Sequence, residues 1–163
     1  MPIPAHWNAP LPLRCHFGYY LALASGPSRS RSIDTLIERF DGDIRRILEQ
    51  LAGEALVSAE ILADELDEYL EDFSKSSLHM EFVDRDKAER CTTLCRGLLD
   101  ALNDDATERQ HRLTQLAVNY YVLAEDAADD KHSLAGFDDD LQVVEAVVEE
   151  LGLNRLLDDD GER

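Results

Sequence analysis

Apolar residues recur at spacings of three and four from Ile33 to Leu51, passing through Leu36, Ile37, Phe40, Ile44, Ile47 and Leu48. This is the period of an amphipathic helix with one buried stripe, and Asp41-Gly42 falls inside the pattern. Gly53 stands at its end. A second periodic set follows at Leu56, Ala59, Leu62, Leu66, Tyr69, Leu70 and Phe73, and the serine-rich stretch 74–77 closes it. Asp84 is placed to accept from the free amides of a third helix, with Asp86 favoured by the dipole in its first turn. The stripe of that helix is Cys91, Leu94, Cys95, Leu98, Leu99 and Leu102.

Asp105 with Glu108 three residues on has the form of a capping box, and opens a fourth helix through Leu113, Leu116, Ala117, Tyr120, Tyr121 and Ala124. Gly136 breaks the chain before a last helix. Its first turn holds Asp138, Asp139 and Asp140, its inner face is Val144, Val147, Val148 and Leu151, and Gly152 is positioned to close it. No stretch alternates for long, and no Asn-Gly or Asp-Gly pair separates two β-branched runs. Short connections favour antiparallel neighbours. The expected fold is therefore all-α, a single-domain bundle of about five or six helices with an extended N-terminal arm.

The arm, residues 1–31, contains Pro2, Pro4, Pro10 and Pro12, which remove backbone donors and exclude a regular helix there. Residues 14–25 fit either a short helix or a buried strand, and periodicity does not separate these. Gly26-Pro27 and the Ser/Arg alternation that follows mark a loop. Residues 32–157 form the expected helical domain and 158–163 an acidic tail.

Charge changes the picture more than composition does. The 163 residues carry 35 acidic against 16 basic side chains, a formal net charge of -19. Such a surface repels phosphate backbones, which argues against direct nucleic-acid binding. The distribution is uneven, since residues 1–33 hold no Asp or Glu while carrying Arg14, Arg29 and Arg31. An arm so unlike the body is either a solvated tail or a segment that contacts an acidic surface, its own or a partner's. Three cysteines, Cys15, Cys91 and Cys95, make no even framework and suit a reducing, cytoplasmic setting. No apolar run approaches the roughly 20 residues of a membrane helix.

Two acidic regions are candidates for function. The first is the outer face of the second helix, where Glu60, Asp64, Glu65, Asp67, Glu68, Glu71 and Asp72 make an almost wholly negative surface. Such a face is ordinarily just solvated. Asp64, Glu65, Glu68, Glu71 and Asp72 are the residues expected to meet a basic protein partner if it is a docking surface.

The second region lies between Glu125 and Asp140, which brackets seven carboxylates around Gly136. Like charges held close need a neutraliser. A hard cation such as Mg²⁺ or Ca²⁺ would take several of these oxygens. Main-chain amides opening the last helix would accept Asp138 and Asp139 as caps. An arginine from a partner or from the arm is the third choice. The spacing is not that of an EF-hand.

This segment resembles the YkvA-like bacterial domains of unknown function, which carry a P-x-D-x-x-P-D element ending one helix and a G-x-x-D-D element opening the next. Asp126 and Asp130 fall on the aspartates of the first element, and Gly136, Asp139 and Asp140 fall on the second. Ala124 and Asp129 stand where the family has prolines, so the preceding helix is free to run on. The likeness spans residues 116–150. It implies that the aspartates flanking the bend are a feature of the fold, and it brings no reaction with it.

Cys91 and Cys95 are one turn apart, a spacing that would serve zinc, but they lie on the apolar stripe where cysteine acts as a small hydrophobe. His6, His16, His79, His111 and His132 show no ligand spacing, although His132 sits among acids that favour its charged form. Phosphate-binding glycine loops, nucleophile elbows and H-E-x-x-H patterns are absent. The sequence thus points to a non-enzymatic, acidic helical interaction or regulatory protein of the antitoxin, immunity or accessory-subunit type. The alternative is a divalent-metal-dependent hydrolase using Asp126, Asp130, Asp139 and Asp140. A third expectation is a structural role, in which the arm reaches a neighbouring copy in a homo-oligomer.

Overall fold

The helical periods become six α-helices in the computed structural model, which describes residues 31–77, 84–127 and 137–158. They are α1 (Arg31–Ile37), α2 (Gly42–Leu51), α3 (Ala59–Ser77), α4 (Arg85–Asp100), α5 (Glu108–Ala127) and α6 (Asp138–Glu150), followed by a 3₁₀ turn at Asn154–Leu156. No strand occurs among the described residues, and the fold is an all-α bundle as the pattern predicts. The two expectations for residues 14–25, helix or strand, lie outside the described residues. None of the described helices is long and apolar enough to cross a membrane.

The bundle is built around α5. Every residue from Leu113 to Tyr121 is buried, including Thr114, Gln115 and Asn119. A helix enclosed on all sides needs neighbours all round it, and α5 packs against α2, α3, α4 and α6. Its buried polar side chains are put to use. Gln115 accepts from the Val57 amide and donates to the Ala55 carbonyl, both at 2.9 Å, which fixes the α2–α3 connection to the core. Asn119 Nδ2 donates to Glu54 Oε2 at 3.1 Å in the same connection.

The single helix expected over Ile33–Leu51 is instead two. Gly42 takes φ +59°, a left-handed conformation that glycine adopts without the steric cost of a Cβ, and the chain turns there. The apolar stripe continues through the turn, because Phe40 before it and Leu48 after it are both buried. Periodicity is preserved across the bend, so spacing alone hides it. Leu56 likewise lies before α3 and not on its stripe.

The helix ends follow local chemistry. Asp84 Oδ1 accepts from the Lys87 amide at 3.2 Å, the N-cap expected for α4. The box opening α5 is Thr107 with Gln110, not Asp105 with Glu108. The Thr107 amide donates to Gln110 Oε1 at 2.8 Å and the Gln110 amide donates to Thr107 Oγ1 at 3.3 Å. At the close of α6, Gly152 has φ +69°, with bonds from its amide to the Glu149 carbonyl and from the Leu153 amide to the Val148 carbonyl. This double closure is a Schellman end, for which a glycine is the favoured residue.

Candidate functional site

On α3 the inner and outer faces divide sharply. Leu62 and Leu66 are buried, and Tyr69, Leu70 and Phe73 pack against the core. Tyr69 and Phe73 belong to an aromatic group with Tyr121 and Phe137, at centroid separations of 5.1–6.2 Å, that holds the C-terminal half of α3 to α5 and the start of α6. The outer face is fixed by default. Glu60, Asp64, Glu65, Asp67, Glu68, Glu71 and Asp72 are all exposed.

Few cations answer them. Lys75 sits 2.9 Å from Glu71 and 3.4 Å from Asp72, and Arg96 of α4 reaches Asp67 at 3.0 Å. Among the described residues, Glu60, Asp64, Glu65 and Glu68 form no ion pair. They occupy successive turns of one strip, since residues four apart on a helix are neighbours. Of the five expected partner-binding residues, Asp64, Glu65 and Glu68 therefore belong to the unanswered part of the strip, while Glu71 and Asp72 share a local lysine. Burial pushes the Glu65 carboxyl above the usual carboxylate range, and the charges of Glu54 and Glu68 push it further. Burial also raises Glu54, partly offset by the hydrogen bond from Asn119.

The second acidic region is arranged differently. Asp138 opens α6 and pairs with Lys87 of α4 at 2.5 Å, and the same ammonium lies 3.2 Å from the Asp84 cap. Phe137, not an aspartate, is the residue before the helix, and its side chain makes no cap hydrogen bond. Where the sequence suggested main-chain amides as caps for Asp138 and Asp139, Asp138 instead meets a lysine from a neighbouring helix. None of the three neutralisers drawn from the sequence was this one, because a single lysine fifty residues upstream carries no spacing signal.

Asp139 is exposed, whereas Asp140 is 2% exposed. Consecutive helical residues point about 100° apart, so the two carboxylates do not converge on one point. Asp126 falls in the last turn of α5, and its side chain, like Asp130 as a whole, lies outside the described residues. Among the described residues, no group of three or more His, Cys, Asp or Glu side chains is arranged to hold a metal ion.

Asp140 lies near two thiols and two phenols of the core. Cys91 and Cys95 are fully buried free thiols. Burial, with smaller contributions from Asp140 and Glu145, pushes Cys91 up to about 12, and burial raises Cys95 as well. A thiol held so firmly in its protonated form is a poor nucleophile at neutral pH. Burial also raises the phenols of Tyr120 and Tyr121. The Tyr121 hydroxyl donates to the Ala88 carbonyl at 3.0 Å and contacts Thr92 Oγ1 at 3.0 Å, so its role is to tie α5 to α4.

Comparison with protein-family models, curated proteins and solved structures returned no match to this chain. The YkvA-like resemblance accordingly rests on the motif residues themselves.

Proposed function

We propose that this domain is a non-enzymatic interaction module that receives a basic protein partner on the outer face of α3. The observation that carries this reading is the strip Glu60, Asp64, Glu65 and Glu68, four exposed carboxylates on adjoining turns with no counter-ion among the described residues. A rigid helix backed by a packed core presents these charges at fixed spacing, and such a field steers a cationic partner toward it. A partner with lysines or arginines along one helix or strand would gain charge-assisted hydrogen bonds there. Antitoxins, immunity proteins and accessory subunits are the kinds of protein that work this way.

Binding of this type weakens with salt, since exposed charges are screened beyond about 8 Å at physiological ionic strength. Affinity capture at low salt should retain a basic protein that is released at high salt. The variant with Asp64, Glu65, Glu68, Glu71 and Asp72 changed to their amides should not retain it. Equal retention by that variant contradicts the proposal. The hydrolase alternative requires Asp139 and Asp140 to share a cation with Asp126 and Asp130. Calorimetry with Mg²⁺, Mn²⁺ and Ca²⁺ separates the two, because only that alternative predicts heat at millimolar metal.

A further inference from the structure

Ile61 is the apolar exception on the outer face of α3. It is 47% exposed, and Leu56, 38% exposed in the connection before the helix, is the other large apolar side chain left to solvent among the described residues. Residues three and four apart share a helix face, so Ile61 heads a row that continues through Glu65, Glu68 and Asp72, all exposed. Asp67, which Arg96 of α4 reaches at 3.0 Å, stands about 120° round the helix from Ile61, so the row lies on the flank turned away from α4. An apolar side chain bordered by charge is the layout of a protein contact, in which the centre is desolvated and the rim is polar.

This end of α3 is also held in place from within. Gln115 of α5 is buried, donates to the Ala55 carbonyl and accepts from the Val57 amide, and so grips the chain on both sides of Leu56. Ser58 Oγ accepts from the Ile61 amide at 3.4 Å at the start of the helix. Apolar side chains carried on a fixed backbone lose little freedom when they are covered, which favours binding.

The row selects both the shape and the chemistry of what covers it. From Ile61 to Asp72 it advances by one helical turn, about 5.4 Å, per side chain. Side chains on one face of a β-strand repeat at roughly 6.7 Å and fall out of step over that length, whereas those of a second helix keep step. Glu65 and Glu68, which form no ion pair among the described residues, call for lysine or arginine, and Ile61 calls for an apolar side chain.

We propose that the partner of α3 is a cationic amphipathic helix laid along this row, with an apolar side chain packed on Ile61 and lysines or arginines one turn apart meeting Glu65, Glu68 and Asp72. Leu56 extends the apolar contact past the start of α3. The proposal rests on the docking reading above and adds to it that positive charge alone is not enough, because the apolar anchor discriminates among basic partners.

The test uses a fluorescent peptide of leucine and lysine, about 18 residues long, with leucines spaced to fall on one helix face, and a second peptide of the same composition with that pattern shuffled. Both are titrated by fluorescence anisotropy at concentrations where they are monomeric. The patterned peptide should bind the full-length protein about tenfold more tightly than the shuffled one, the scale of one apolar anchor. Ile61→Gln should abolish that ratio and Ile61→Leu should keep it, with the helical circular dichroism unchanged in both. Added salt should weaken both peptides and leave their ratio, because screening acts on the charges and not on the apolar contact.

Equal affinity for the two peptides overturns the proposal, and so does a ratio that survives Ile61→Gln. If the peptides bind equally at low salt and the five-amide variant of the strip releases both, the docking reading stands and only the anchor falls. If neither peptide binds at low salt, or if the five-amide variant retains both, the docking reading falls with it.

Discussion

The two acidic helices α3 and α6 reach different electrostatic ends. On α6 three of the six carboxylates are answered, each from a different part of the chain. Asp138 meets Lys87 of α4, Glu149 meets Arg39 just after α1, and Glu150 meets Arg109 of α5. On α3 a longer acidic run has Lys75 of its own last turn and Arg96 of α4, and the strip from Glu60 to Glu68 is left to solvent. Acidic density is similar to the eye in both sequences. What separates them is packing, since α6 touches α1, α4 and α5 and can be met from several sides, whereas the outer face of α3 is reached among the described helices by Arg96 of α4 at Asp67.

The largest expected effect sharpens the division within α3. Leu66 is buried on the inner face, and Leu66→Ala should cost about 3 kcal/mol of stability through lost burial and the cavity left behind. Urea denaturation reads this directly. Glu68→Gln, two residues away on the outer face, should leave the midpoint within about 0.5 kcal/mol, as surface changes do. A comparable loss at both positions breaks the contrast.

On α6, Arg109 is partly shielded and bonds both the Glu150 carboxylate and the Glu150 carbonyl. Arg109→Met should therefore cost about 1 kcal/mol, the upper end for ion pairs near a surface. The urea midpoint of this variant should also lose the salt dependence that the pair contributes.

Acid titration offers a smaller, signed effect. Glu54 and Glu65 have carboxyls raised in the folded state, so the folded protein binds protons more readily than the unfolded chain. Their contribution to stability therefore grows as pH falls from neutral toward the raised values. The Glu54→Gln/Glu65→Gln variant should flatten this dependence between neutral pH and the ordinary carboxylate range. Asp84 works in the opposite sense. The Lys87 amide and ammonium hold its carboxyl below the usual value, so its contribution is present above that value and disappears in stronger acid.

Much of the fold was legible because burial has a period. The stripes of α3, α4 and α6, the Asp84 cap and the Gly152 end all follow from residues within one or two turns of one another. The bend at Gly42 escaped because Phe40 and Ile44 stay in register across it. The box at Thr107 and Gln110 was shadowed by Asp105 and Glu108, which have the same spacing and stronger acidic side chains. The acidic face of α3 was readable as a face. Its lack of counter-ions was not, since whether Lys87 or Arg109 reaches α6 or α3 is a matter of tertiary placement. Asn119 and Gln115 could have been suspected as polar residues inside an apolar run, but their partners in the α2–α3 connection lie about sixty residues away.

The central claim is that more of the negative charge on α6 than on α3 is met from other elements of the fold. Thermal unfolding at low ionic strength tests it with two variants that each remove three charges, Asp64→Asn/Glu65→Gln/Glu68→Gln on α3 and Asp138→Asn/Glu149→Gln/Glu150→Gln on α6. The account predicts a higher Tm for the first, because like charges on one helix face repel, and a lower Tm for the second, because three inter-helix ion pairs are lost. A fall of equal size in both would show that the α3 carboxylates are already satisfied and would contradict the account.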